Sequence, residues 1–323
     1  MRKNLSRNKR QSRTDSKGLH PRNKHKRGYD FPLLVKSYPP LAPHVKPNAH
    51  GNLSILFADP KAVKALNAAL LKTYYHTTDW DIPDGALCPP IPGRVDYIHY
   101  VAELLGIDEP SKDQTKDGPT ISMLDIGTGA SGIYPILACQ TYHWHCVGSD
   151  INSQSLDNVA TIINNNPSLK ERFSVRLQTD KNQFFKGIIK PGDIFDISVC
   201  NPPFHASPEE ARKGSQQKLN NLARHRGVDD AAGKVNIASP ALNFGGQEAE
   251  LWCKGGERMF LKKLIKESRD YSSQCRWFSS LVSKIDNVKP AKQWLRKLGA
   301  SDIREIEMAQ GNKITRVLAW TYR

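Results

Sequence analysis

The 323-residue sequence predicts an α/β fold, a largely parallel sheet covered by helices and preceded by a helical extension and a basic arm. Three observations carry that prediction. Short, β-branched runs with little alternation, such as Ile194–Cys200, read as strands buried on both faces, and amphipathic helical stretches separate them. The run Ile121–Ile126 delivers the chain into a Gly-rich turn, Gly127-Thr128-Gly129-Ala130-Ser131-Gly132, and then into a helix. Two terminal runs, Ile303–Met308 and Arg316–Tyr322, pair as a closing hairpin.

Taken in order, residues 1–28 form a basic arm. Eleven Lys or Arg stand against a single acid, Asp15, between Met1 and Arg27, which is about two-thirds of the net charge of +15. With almost no large apolar residues, the arm is expected to be disordered when free and to act on phosphates, as the overall pI near 9.5 suggests. Residues 29–118 form the helical extension. Pro60–Tyr75 places Val63, Leu66, Leu70 and Leu71 on one face behind Asp59 as cap, and Arg94–Leu105 ends at Gly106. A polar linker, residues 109–119, leads to the sheet domain, residues 119–323. There the glycine turn opens a helix over Ile133–Tyr142. Strand His145–Ser149 ends in Asp150, helix Ser153–Asn164 follows, and strand Ser174–Gln178 ends at Thr179-Asp180. After Ile194–Cys200 come a polar, basic stretch over 206–238, read as a mobile substrate loop, a helix over Glu248–Ser268, strand Arg276–Val282, a helix over Ala291–Leu298 and the hairpin.

The chemistry concentrates at Asn201-Pro202-Pro203-Phe204. Two prolines can neither donate to a ladder nor continue a helix, so the fourth strand stops and turns there, at the carboxyl edge where open α/β sheets bind ligands. The Asn201 side-chain carbonyl and the Pro202 backbone carbonyl can accept from an amine, and Phe204 can stack on a ring, which together suit a flat base with an exocyclic amino group. Gly127 and Gly129 allow backbone to approach a ligand closely, and Asp150 suits a ribose diol. Arg94 either binds a carboxylate bidentately or is a solvent-facing charge at a helix end. A nicotinamide-dependent dehydrogenase would share the glycines and Asp150 but gives no reason for Asn-Pro-Pro-Phe. The six cysteines show no metal-ligand spacing and read as reduced thiols. No apolar run approaches the ~18 residues of a membrane span, and no apolar segment follows the basic start, so a cytoplasmic protein without metal is expected.

The blocks Leu124-Asp125-Ile126-Gly127-Thr128-Gly129-Ala130-Ser131-Gly132, Gly148-Ser149-Asp150-Ile151 and Asn201-Pro202-Pro203-Phe204-His205 resemble class I S-adenosylmethionine-dependent methyltransferases that act on amines. More narrowly, the chain from about Phe31 to Arg323 resembles the ribosomal RNA large subunit methyltransferase F family. Pro90-Ile91-Pro92-Gly93-Arg94, Gly245-Gly246 through Gly255-Gly256-Glu257, and Gln310-Gly311-Asn312-Lys313 carry that likeness. The family methylates N6 of one adenine in 23S rRNA, and its eukaryotic relatives include the U6 small nuclear RNA adenine methyltransferase. The resemblance implies a Rossmann-like, seven-stranded class I methyltransferase fold of strand order 3-2-1-4-5-7-6, S-adenosyl-L-methionine as cofactor, 23S rRNA as partner, and a monomer. It implies that Gly127 and Gly129 pass under the methionine part of the cofactor and that Asp125 orients its ammonium. Asp150 would take the ribose hydroxyls, Arg94 the carboxylate, and Thr179 or Asp180 would lie near the cofactor adenine. Asn201, Pro202, Pro203 and Phe204 form the implied catalytic set, with Asn201 counted among the cofactor contacts as well. Another RNA, or DNA, is the alternative substrate.

Overall fold

The computed structural model describes residues 18–107, 120–207, 209–210, 252–310 and 313–323. Seven strands form the main sheet: β3 (Ser122–Ile126), β4 (His145–Asp150), β5 (Phe173–Leu177), β6 (Phe195–Cys200), β7 (Cys275–Val282), β8 (Asp302–Gln310) and β9 (Lys313–Thr321). Their spatial order is β5-β4-β3-β6-β7-β9-β8, which is 3-2-1-4-5-7-6 when the sheet strands alone are numbered. The first five are parallel, and β9 runs antiparallel to both β7 and β8.

Register explains where the chemistry gathers. Ile126 of β3 pairs with Ser149 of β4 on one side and with Cys200 of β6 on the other. The next residue of each strand or turn is therefore Gly127, Asp150 or Asn201, and three segments far apart in sequence reach one edge together. Asp150 pairs in turn with Leu177, so Gln178 is the first residue beyond β5.

Alternation along the strands builds two cores, one on each face of the sheet. Met123 of β3 packs into the core shared with α2 (Pro60–Tyr75), α3 (Ile91–Leu104) and α4 (Ile133–Tyr142), whereas its neighbour Leu124 packs into the other, beside α7 (Gly256–Ser268) and α8 (Val288–Lys297). The second core is closed by Trp320, whose ring stacks on Phe278 with centroids 5.9 Å apart and whose indole N–H donates to Ser268 Oγ at 2.9 Å. Before the sheet lie α1 (Phe31–Ser37) and a small hairpin of β1 (Val45–Pro47) and β2 (Leu53–Ile55). After β4 come α5 (Ser153–Asn165) and the single turn α6 (Pro167–Lys170).

Most strand and helix ends shift by one to three residues from expectation, and three differences bear on the site and its surroundings. Helix α3 starts at Ile91, three residues before Arg94, because Pro is tolerated in a first helical turn, where its missing N–H has no intrahelical partner to lose. Helix α7 starts at Gly256; of the expected stretch, residues 248–251 lie outside the described residues and 252–255 are not helical. Gly255 and Gly256 both have positive φ, +85° and +61°, so the chain turns there before the helix begins.

The third difference is the arm, which ends before Gly28. His20, Asn23 and His25 are buried against α2 and α3. Asn23 Nδ2 donates to the Pro92 carbonyl at 2.9 Å and also to Asp96 Oδ1, which accepts the His20 backbone N–H at 3.2 Å. Arg22 donates to the carbonyls of Ile107 and His99 at 2.8 and 3.0 Å, and His25 Nε2 lies 2.9 Å from the Tyr75 hydroxyl. Polarity suggested a solvated tail, but these polar groups satisfy one another. Residues 1–17, the linker 109–119, nearly all of 206–238 and Gly245-Gly246 lie outside the described residues.

This clasp makes stability pH-dependent. Burial, with the neighbouring Lys24 charge, lowers the His25 pKa to about 4. Burial and then the charges of His20, Arg22, Lys24 and His25 lower His99 to about 3. Both imidazoles are neutral in the native state, and an unfolded chain would protonate them near pH 6.5. Their contribution is therefore complete above that pH and is lost as pH falls toward 4 and then 3, each costing up to about 1.4 kcal/mol per pH unit. The thermal midpoint is expected to fall between pH 6.5 and 5, and His25→Gln to flatten that fall. An unchanged slope in the variant would remove His25 from the account.

Candidate active site

The carboxyl edge of β3, β4, β5 and β6 opens into a cleft of about 480 Å³. Its floor is the glycine turn. Gly127 and Gly129 take φ of +75° and +60°, a region that side chains other than glycine avoid. The Gly127 and Thr128 N–H groups both donate to the Ser149 carbonyl at 2.9 Å, which folds the turn over the end of β4. A Cβ on Gly127 would meet nothing within 4 Å, so conformation, not crowding by protein, requires the glycine. Gly148 differs, since a Cβ there would lie 2.9 Å from Thr128 Oγ1.

Asp150 locks the turn. Its Oδ2 accepts the Gly129 N–H and its Oδ1 the Asn152 N–H, each at 2.9 Å, joining the glycine turn to the start of α5. Burial pushes its pKa up, and the backbone N–H groups of Asn152, Gly129 and Ile151 draw it back.

Arg94 and Asp125 bring unspent charge to this edge. Arg94 lines the cleft and donates from Nη1 to the Tyr134 hydroxyl at 2.7 Å, while its buried Nε has no partner among the described residues. Asp125 is fully buried beneath the wall, and both of its carboxylate oxygens lack a well-formed hydrogen bond among the described residues. Burial raises its pKa to about 7. The Asp150 charge pushes the same way, while the Thr128 hydroxyl and the Arg94 guanidinium oppose it. A buried cationic donor and a buried carboxyl, both incompletely paired, suit the carboxylate and ammonium of an amino-acid group.

On the β6 side, Asn201 lines the cleft and its Oδ1 is buried without a partner among the described residues. The residue before it is pinned from the helical extension. The Cys200 N–H donates to the Tyr97 hydroxyl at 3.4 Å, Tyr97 lies 2.8 Å from Ser279 Oγ, and Ser279 donates to the Ser198 carbonyl at 2.8 Å. Pro203 lines the cleft, whereas Pro202 is buried and Phe204 half-buried outside its wall.

At the third strand the wall residue is Gln178, in place of the expected Thr179 or Asp180, both of which are exposed. The Asp180 carboxylate is spent on its own turn, accepting the Asn182 N–H at 2.9 Å, and the Gln178 Oε1 accepts the Asp180 N–H at 2.9 Å. Trp252 is a wall residue that pattern reading missed. It arrives from a distant segment by a parallel bridge to His205, and the Cys253 N–H donates to the His205 carbonyl at 3.0 Å. Its one local signal was a lone aromatic just ahead of Gly255-Gly256-Glu257. Glu257 of that block is structural, accepting from Ser283 N–H and Oγ, Lys284 N–H and Asn287 Nδ2 at 2.6–3.1 Å.

With this geometry in hand, comparison with known proteins is decisive. The RNA methyltransferase family model matches residues 13–323. The chain belongs to this family. It is 58% identical over 316 residues to the ribosomal RNA large subunit methyltransferase F of Saccharophagus degradans, covering 97% of both chains. The enzyme of the same name from Shewanella halifaxensis is 54% identical over 314 residues, 95% of this chain and 83% of that one. Among solved structures, the hMettl16 catalytic domain in complex with MAT2A 3'UTR hairpin 1 superposes with a TM-score of 0.75 at 29% identity, covering 95% of this chain and 96% of that one. The N-terminal domain of human METTL16 in complex with SAH gives 0.72 at 27%, with 94% and 99% covered. Family membership thus supports the class I methyltransferase fold. Among the described residues there is no group of three or more His, Cys, Asp or Glu arranged to hold a metal, and no helix long and apolar enough to cross a membrane.

Proposed function

We propose that this methyltransferase transfers a methyl group from S-adenosyl-L-methionine to the N6 amine of an adenine in large-subunit (23S) ribosomal RNA. The observation that carries the reading is the buried Asn201 Oδ1, unpaired among the described residues, one strand from Gly127 and two from Asp150 on the same edge. Relatives named for ribosomal RNA methylation, and a structural neighbour bound to an RNA hairpin, support the substrate class.

Each residue then has a task. Gly127 and Gly129 keep side chains off the cofactor's path, Asp150 accepts from the ribose hydroxyls, and Arg94 and Asp125 hold its carboxylate and ammonium. Gln178 takes the place assigned to Thr179 or Asp180, beside the cofactor adenine. The bound cofactor supplies a methyl group on a positively charged sulfur, and no metal is needed. Asn201 and the Pro202 carbonyl accept from the target amine. That favours rehybridisation of a nitrogen whose lone pair is otherwise delocalised into the ring. Pro203 bounds the ring, which must be extruded from its stack to reach the edge, while Phe204 stands outside the wall and is not given the stacking role expected of it. The six cysteines, free and mostly buried, suit a cytoplasmic enzyme.

The test is transfer of a tritiated methyl group to total RNA from cells lacking the gene, followed by mapping of the labelled base. Label on 23S rRNA adenine N6 supports the reading; label confined to another RNA, or appearing only when the same cells' DNA is offered in a parallel reaction, favours the alternative substrate, and no transfer rejects it. The arm contributes non-specific affinity. Removing residues 1–17, which carry seven Lys or Arg and one acid, is expected to weaken RNA binding and flatten its salt dependence. The clasp at residues 18–28 is left intact in that truncation. An unchanged salt slope would deny the arm this role.

A further inference from the structure

Two buried polar atoms of opposite hydrogen-bonding sense belong to wall residues of the cleft and lack partners among the described residues: the acceptor Asn201 Oδ1 and the donor Trp252 Nε1. A buried indole N–H ordinarily finds an acceptor, and leaving one unmade is costly. Trp252 is also firmly held. Its segment pairs with His205, and the Cys253 N–H closes on the His205 carbonyl at 3.0 Å, so it is fastened to the chain just leaving Asn201-Pro202-Pro203-Phe204. Acceptor and donor thus belong to one local unit.

Such a pair complements a ring that carries an N–H beside a bare ring nitrogen. Adenine offers this on two edges, its amine flanked by N7 on one side and N1 on the other. Guanine and uracil carry a carbonyl oxygen where the amine would be, and their neighbouring ring nitrogen on the pairing edge carries a hydrogen. On that edge acceptor would then meet acceptor and donor would meet donor, and on guanine's N7 edge acceptor would still meet acceptor at O6. Cytosine alone shares the amine beside a bare ring nitrogen, so the pair selects amino bases over oxo bases. We propose that Trp252 is a specificity-determining residue of the target-base pocket, its indole N–H donating to the adenine ring nitrogen next to the amine that Asn201 holds. This rests on the assignment of Asn201 to the target amine made above.

The test uses the full-length protein and 23S rRNA transcripts with adenosine, 1-deazaadenosine or 7-deazaadenosine ligated in at the mapped methylation site. Wild type and Trp252→Phe, which keeps an aromatic ring and removes the N–H, are compared under single-turnover conditions. Trp252→Phe is expected to lower kcat/KM on adenosine about tenfold, with cofactor Kd and thermal midpoint unchanged. One deaza analogue should cost the wild type a similar factor, and variant and analogue together no more than either alone. Whichever analogue shows that coupling identifies the edge read. If neither analogue slows the wild type, or if their effects simply multiply with that of Trp252→Phe, the proposal is overturned. Failure of the wild type to methylate the adenosine transcript at all would instead reject the underlying site reading. The analogue arm on wild-type protein keeps the test decisive even if the variant folds poorly.

Discussion

Asn201→Ala is expected to lower the single-turnover rate of methyl transfer about 100- to 1000-fold, the usual consequence of removing one preorganised hydrogen-bond group from a transition state. Cofactor Kd should stay within about threefold, because the glycine turn, Asp150 and Arg94 are untouched. Stability should hold or rise. The Asn201 Oδ1 is buried and unpaired among the described residues, a condition that costs about 1–3 kcal/mol, and alanine has no such oxygen to bury. A loss of activity together with equal or better stability separates a functional group from a packing group, since a truncated core residue lowers both. The measurements are quench-flow methylation with labelled cofactor, calorimetric titration of the cofactor product, and thermal unfolding. Wild-type turnover by the variant would take Asn201 out of the mechanism.

Why that oxygen was legible in sequence, and other parts of the cleft were not, follows from how each reaches it. Gly127 and Asn201 are each the first residue beyond a parallel strand and Asp150 is the last residue of its own, and parallel strands in register end on one edge. Strand patterning alone therefore predicts their meeting. Gln178 obeys the same rule, but Thr179 and Asp180 beyond it are more conspicuous ligand types, and chemical suggestiveness outweighed register. Trp252 belongs to no strand of the sheet. It reaches the wall through an isolated bridge to His205, a long-range pairing that leaves no periodic trace. The clasp at residues 18–28 was hidden for a different reason. Composition records His20, Asn23 and His25 as polar, whereas burial depends on whether Asp96, Tyr75 and the Pro92 carbonyl are there to receive them. Prolines misled at α3, where Pro90 and Pro92 read as punctuation but frame a helix start.

Asp150→Ala is expected to weaken cofactor binding about 100-fold or more, with RNA affinity unchanged. Two losses combine. The ribose hydroxyls lose a charged acceptor, and hydrogen bonds to charged groups contribute about 1.5–3 kcal/mol. The Gly129 and Asn152 N–H groups, each now 2.9 Å from a carboxylate oxygen, are left unsatisfied, so the turn that passes beneath the cofactor relaxes. Asp150→Asn separates these contributions. Its amide retains one carbonyl acceptor, so it can satisfy either Gly129 or Asn152, while its NH2 group opposes the other N–H. An intermediate loss of affinity is therefore expected, with a thermal midpoint between wild type and alanine. If Asp150 only stapled the turn and never touched the ribose, removing the ribose hydroxyls from the ligand would weaken binding equally in all three proteins. If it does both, the dideoxyribose analogue of the cofactor product should lose affinity for wild type but little for Asp150→Ala, and titration of that analogue decides between the two. An unchanged Kd for the intact product in Asp150→Ala would show that this carboxylate, for all its position, takes no part in holding the cofactor.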